Sequence, residues 1–164
     1  MDKIFIVGMP GSGKSTMARY LCSQSNFKYF DLDEEIEKKS QMTVKEIFEN
    51  KGEDYFRSLE TDLLEEIIQK ENSFILATGG GTPCFNNNME IMNKNGNTIF
   101  LNIPIDILAE RVSRKNKRPL FDSKNIKETI INLFNKRIKF YKKSNFSIIG
   151  NNREEALSII NSNT

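Results

Sequence analysis

The run Gly8-Met9-Pro10-Gly11-Ser12-Gly13-Lys14-Ser15, followed by Thr16, has the residue types and spacing of a phosphate-binding loop, G-x-x-x-x-G-K-[ST]. Glycines let successive backbone N–H groups turn toward phosphate oxygens, and a helix beginning at the loop adds the positive end of its dipole. The Lys14 ammonium suits the β- and γ-phosphates, and the Ser15 hydroxyl is placed to ligate Mg²⁺. Thr16 adds a hydroxyl near the α-phosphate end. The alternative is a Gly-rich turn that happens to hold a lysine, and the flanking pattern of strand before and helix after argues against it. The segment Gly11, Ser12, Gly13, Lys14, Ser15 and Thr16 therefore predicts ATP or GTP binding, without saying which reaction follows.

Five further sets bear on the reaction. Asp31-Leu32-Asp33 closes a predicted strand, where alternation turns both carboxylates the same way. One suits a metal held through water, the other a proton accepted from a hydroxyl; alternatively Asp33 caps the helix predicted over 34–40. Phe56-Arg57 precedes Glu60 on one helix, and the spacing alone favours a plain surface ion pair. Thr78-Gly79-Gly80-Gly81 follows a predicted strand, so a ligand can approach bare backbone at the sheet edge where open α/β sheets bind. Arg118-Pro119-Leu120, preceded by Arg111, lies in a polar and basic stretch. An arginine there suits a lid closing on a transferring phosphoryl group. Arg111, Arg114, Lys115, Lys117 and Arg118 also have the charge of a nucleic-acid patch, but the chain is near neutral and aromatics are not interleaved. Arg137 stands four residues before Tyr141, and in isolation reads as part of a solvated basic face with Lys136, Lys139, Lys142 and Lys143.

These residues must be positioned by alternating elements. Residues 4–7, 27–32, 74–77, 98–103 and 146–149 are short apolar runs suited to strands buried on both faces. Helical spacing is read over 15–22, 43–50, 52–70 and 126–141, and Thr43 and Glu46 have capping-box spacing. Strands alternating with helices predict an α/β domain with a parallel sheet. The least regular stretch is 113–125, long for a connection: a candidate lid, or alternatively a plain solvated loop.

The chain has 164 residues, 24 Lys+Arg against 22 Asp+Glu, no His, no Trp and two Cys. This length fits one domain, residues 1–164. Without histidine, Ser-His-Asp triads, His-ligated zinc and imidazole bases are excluded. Cys22 and Cys84 form no C-x-x-C pair. A net charge of +2 gives weak attraction to nucleic acid or anionic membrane. Apolar runs fall far short of the ~20 residues of a membrane span. A reducing cytoplasm is the expected compartment, and a monomer the expected state.

In order along the chain, residues 8–16, Asp31-x-Asp33, Phe56-Arg57-x-x-Glu60, Gly79-Gly80-Gly81, Arg118-Pro119-Leu120 and Arg137-x-x-x-Tyr141 resemble the shikimate kinase family. The resemblance implies a three-layer fold like that of P-loop nucleoside monophosphate kinases: a five-stranded parallel sheet of order 2-3-1-4-5, with helices on both faces. It also implies an acceptor-binding region near 34–60 and a lid near 112–124. The implied reaction is phosphorylation of the 3-hydroxyl of shikimate by ATP with Mg²⁺, in aromatic amino-acid biosynthesis. Lys14, Asp33 and Arg118 would be catalytic, with Asp33 bonding the reacting hydroxyls. Arg57 and Arg137 would hold the carboxylate, as two guanidinium forks suit one small anion. Glu60 would orient Arg57 or touch a hydroxyl, Gly79, Gly80 and Gly81 would contact the ring, and Phe48 and Phe56 would pack around it. Ser15 would ligate Mg²⁺ directly, with Asp31 assisting through water. Arg118 would close on the phosphates, Arg111 would lie against the base, and Arg153 would belong to the adenine side.

Two segments depart from the family pattern. Ile138-Lys139-Phe140 replaces a segment that often carries a small residue or Pro, and Gly150-Asn151-Asn152-Arg153 lacks the usual Pro. Competing readings are a gluconate or nucleoside monophosphate kinase and a nucleotide-controlled switch protein. Arg57 with Arg137 favours a carboxylate-bearing acceptor, and a switch protein would leave the acceptor-side set unexplained.

Overall fold

The computed structural model describes residues 2–115 and 123–162. Five parallel strands, β1 (Lys3–Val7), β2 (Lys28–Asp31), β3 (Phe74–Ala77), β4 (Asn97–Asn102) and β5 (Phe146–Ile149), form one sheet of order β2-β3-β1-β4-β5. The helices are α1 (Lys14–Ser23), α2 (Leu32–Ser40), α3 (Val44–Lys51), α4 (Glu53–Lys70), α5 (Asn88–Asn95), α6 (Ile105–Lys115), α7 (Ser123–Tyr141) and α8 (Arg153–Ser162), with a 3-10 turn at Thr82–Cys84.

The central strands are apolar at successive positions because both faces are covered. Phe5, Val7, Phe74, Leu76 and Phe100 point into a core shared with α2–α7. Ile4, Ile6, Ile75, Ala77, Ile99 and Leu101 point the other way, against Met17, Ala18 and Leu21 of α1 and Ala156 and Ile160 of α8. This is the three-layer arrangement. It brings the carboxyl ends of β1, β2 and β3, and with them residues 8–16, 31–33 and 78–81, to one edge of the sheet.

All five expected strands are present within a residue or two. The capping box also forms: the Thr43 Oγ1 accepts from the Glu46 N–H at 3.1 Å, and the Thr43 N–H donates to Glu46 Oε2 at 2.7 Å.

Two local expectations are corrected. β2 ends at Asp31, and α2 begins at the next residue, so Asp33 lies in a helical first turn rather than on an extended strand. The helix cap is Asp31, whose Oδ1 accepts from the N–H groups of Asp33 and Glu34 at 3.1 and 3.2 Å. An extended residue one short of the helix has the geometry a cap needs, which Asp33 inside the turn lacks. The stretch read as irregular, 113–125, is helical as far as Lys115 and again from Ser123. Arg114 and Lys115 are exposed on α6 and Asn125 on α7, and these helices anchor inward through Leu108, Ile126 and Ile130. Residues 116–122, including Arg118, Pro119 and Leu120, lie outside the described residues. The helices α5, α6 and α8 had no counterpart in the sequence reading.

Candidate active site

The loop after β1 wraps the start of α1. Gly13 precedes that helix with φ +85°, a left-handed conformation open to glycine at little cost. The Lys14 ammonium is buried and donates to the carbonyls of Gly8 and Met9 at 3.0 and 2.9 Å. Burial pulls its pKa down to about 8 against the pull of Asp33 and Asp31. Buried with only carbonyls as hydrogen-bond acceptors, this ammonium is suited to an arriving anion.

Ser15 Oγ donates to Asp31 Oδ2 at 2.5 Å. Asp31 thus divides its oxygens, one on Ser15 and one on the backbone of α2. Asp33 faces the same cavity as Lys14, and burial raises its pKa to about 6, with Asp31 and Glu60 pushing the same way.

Gly79, Gly80 and Gly81 form the floor on which the acceptor-side residues meet. A Cβ at Gly79 would lie 3.1 Å from Asp33 Oδ1 and 3.3 Å from Glu60 Oε2. At Gly80 it would lie 2.8 Å from Pro10 Cδ and 2.9 Å from Arg137 Nη1; at Gly81, 2.6 Å from Arg57 Nη2. Side chains at these positions would displace both guanidinium groups. Tyr141, fully buried and stacked on Phe100, fixes the floor by donating to the Gly80 carbonyl at 2.6 Å.

Arg57 is not the surface ion pair that spacing favoured. Its Nη1 donates to Glu60 Oε1 at 2.8 Å, and Glu60 is only 1% exposed. Glu60 also accepts from Thr82 Oγ1 at 2.7 Å. The guanidinium lies 4.0 Å from the Phe85 ring centroid and 5.1 Å from that of Phe56, so it is clamped by a buried carboxylate and aromatic faces. Arg137 is half-buried and directed at Gly80, while Lys136 and Lys139 beside it are exposed. The i, i+3 and i, i+4 spacings gave these two arginines no tertiary partners, which explains the misreading.

A cavity of about 760 Å³ is lined by Gly11, Gly13, Lys14, Ser15, Thr16, Asp31, Asp33, Gly79 and Gly80, together with Arg111, Asn151 and Arg153. The Arg153 guanidinium stacks 4.7 Å over Tyr20. Arg111 Nη1 donates to the Gly11 carbonyl at 3.0 Å and Nη2 to Asn151 Oδ1 at 2.7 Å. Asn151 Nδ2 donates to the Ser12 carbonyl at 3.0 Å. Sequence reasoning gave Asn151 no role. Its one signal was its place in a polar segment just after β5, at the strand edge where the phosphate loop also lies.

A buried lysine and loop glycines at one end, and a carboxylate with two converging arginines at the other, define a P-loop phosphotransferase acting on a small anionic acceptor. The shikimate kinase family model matches residues 10–163, and the chain belongs to that family.

A shikimate kinase of Azobacteroides pseudotrichonymphae is 41% identical over 145 residues, 86% of this chain and 85% of that one. The crystal structure of the Bacteroides thetaiotaomicron shikimate kinase superposes with a TM-score of 0.87 at 32% identity, covering 98% of this chain and 96% of that one. The shikimate kinase from Acinetobacter baumannii in complex with shikimate gives 0.88 at 31%, covering 100% and 95%. Among the described residues, no helix is long and apolar enough to cross a membrane.

Proposed function

We propose that this chain transfers the γ-phosphoryl group of ATP to the 3-hydroxyl of shikimate, giving shikimate 3-phosphate and ADP. The observation that carries the reading is the convergence of Asp33, Glu60, Arg57 and Arg137 on Gly79–Gly81, beside the Lys14 loop. Arg57 and Arg137 hold the acceptor carboxylate, and Glu60 holds Arg57 in register by a buried ion pair. Asp33 bonds the reacting hydroxyl and accepts its proton; a pKa near 6 leaves it ionised at neutral pH yet basic enough for that step. Lys14 swings from its loop carbonyls to the β- and γ-phosphates, where charge develops in the transition state. As the family resemblance implies, Arg118, outside the described residues, would act on the phosphates, and Arg111 and Arg153 would border the base.

Ser15 and Asp31 are hard oxygen donors, as Mg²⁺ requires, and they fit that ion with phosphate and water oxygens completing its shell. Bound there, Mg²⁺ would neutralise phosphate charge.

Coupled ADP release with ATP and Mg²⁺ tests the assignment, with gluconate and nucleoside monophosphates as controls. Release that requires shikimate, with a phosphorylated product found by mass, is expected. ATP binding without stimulation by shikimate would remove the acceptor assignment and leave the phosphate loop standing.

A further inference from the structure

We propose that Asn151 is a positioning residue of the phosphate loop, setting the direction of the Gly13 N–H. In a planar trans peptide the C=O and N–H point in opposite directions, and the described residues contain no cis peptide. Asn151 Nδ2 holds the Ser12 carbonyl at 3.0 Å from outside the loop, so the Gly13 N–H in the same peptide faces the other way. Gly13 lines the cavity, whereas the preceding N–H, of Ser12, is used within the loop on the Met9 carbonyl at 3.1 Å. The donor aimed by Asn151 is thus one available to a phosphate oxygen.

The contact is close on both sides. A Cβ at Gly13 would lie 3.1 Å from Asn151 Nδ2, so the amide rests against the loop backbone. Its other end is fixed, because Asn151 Oδ1 accepts from Arg111 Nη2 at 2.7 Å while Arg111 Nη1 donates to the Gly11 carbonyl at 3.0 Å. One amide and one guanidinium therefore hold two consecutive loop carbonyls, those of Gly11 and Ser12. The inference rests on the loop being the phosphate cradle, and adds a residue beyond the loop and on the far side of the sheet order, after β5.

The test measures binding of inorganic tripolyphosphate, ATP and shikimate to the full chain, by calorimetry, for wild type, Asn151→Ala and Asn151→Leu. Leucine has the same branched four-atom side-chain skeleton as asparagine and neither polar end. Both variants should lose about tenfold or more in affinity for tripolyphosphate and ATP alike, the scale of one misaimed hydrogen bond to a charged group, with shikimate affinity retained. ATP weakened with tripolyphosphate unchanged would overturn the proposal, since Asn151 would then act through the base. Recovery by Leu would also overturn it, because packing rather than hydrogen bonding would be at work, and an equal loss for shikimate would do so by pointing to general disruption. Lys14→Ala is the control for the underlying reading: if tripolyphosphate binds that variant as well as wild type, the cradle assignment itself fails.

Discussion

Asp33→Asn should make the ligand-free and metal-free protein more stable at neutral pH while removing its activity. The carboxyl titrates near 6 in the folded protein against an ordinary 3.8, chiefly because it is buried. Between those values the folded state holds a proton that the unfolded state has released, so wild-type stability falls as pH rises from about 4 to about 6 and stays lower above. The gap, at about 1.4 kcal/mol per pH unit, amounts to about 3 kcal/mol at its plateau. Asn has no charge to bury, so the variant escapes this cost. The attraction of Lys14 is already part of that raised value, so the expected gain stays at about 3 kcal/mol.

Urea unfolding of both proteins from pH 4 to 8 reads this directly. The midpoints should nearly coincide at pH 4 and separate with rising pH, the variant above, until a plateau past about pH 6.5. A gap that stays constant across that range, or a variant less stable at pH 8, would refute the claim that a buried, proton-accepting carboxylate sits at this position. Phosphoryl transfer by the variant should fall at least 100-fold, the scale of losing a general base.

Other outcomes follow from the same geometry. Lys14→Ala should abolish phosphoryl transfer in the coupled assay, and near-normal kcat would remove the loop assignment. Arg137→Ala should raise the acceptor KM much more than that of ATP, by about tenfold or more for one charge-assisted bidentate contact; equal losses would place Arg137 outside the acceptor site. Gly81→Ala should act on Arg57 from a distance, since the new Cβ would lie 2.6 Å from its Nη2; acceptor KM rises with ATP KM unchanged, and an unaffected acceptor KM would show that Arg57 yields freely. Tyr141→Phe leaves the Gly80 carbonyl without its 2.6 Å partner and should cost about 1–2 kcal/mol in denaturant unfolding.

How far these relations were legible from sequence depended on whether they were local. The strands were readable because burial on both faces forces an unbroken apolar run, as at Ile4–Val7, and the Thr43–Glu46 box because its partners are three residues apart. The helices α5, α6 and α8 were missed although each is at least as long as α3; α3, with only Ile47 buried, was readable from its capping-box spacing. The phosphate loop carries its chemistry in consecutive residues. Arg57 and Arg137 do not: what separates them from the exposed Lys136 and Lys139 is contact with Gly81 and Gly80, made by chain folding. Asn151 was silent for the same reason, since both its partners lie on other elements.

The junction between β2 and α2 contains no slack. Asp31 is the last residue of the strand and also the cap of the helix, and its second oxygen is tied to Ser15. A single residue inserted after Asp31 would turn the helix by about 100°. Asp33 would be carried away from Lys14, and Ile36, now fully buried, would be rotated toward solvent. The one-residue interval between the two aspartates is thus a mechanical dimension of the protein, and length at this point should be far less tolerated than side-chain change at Leu32.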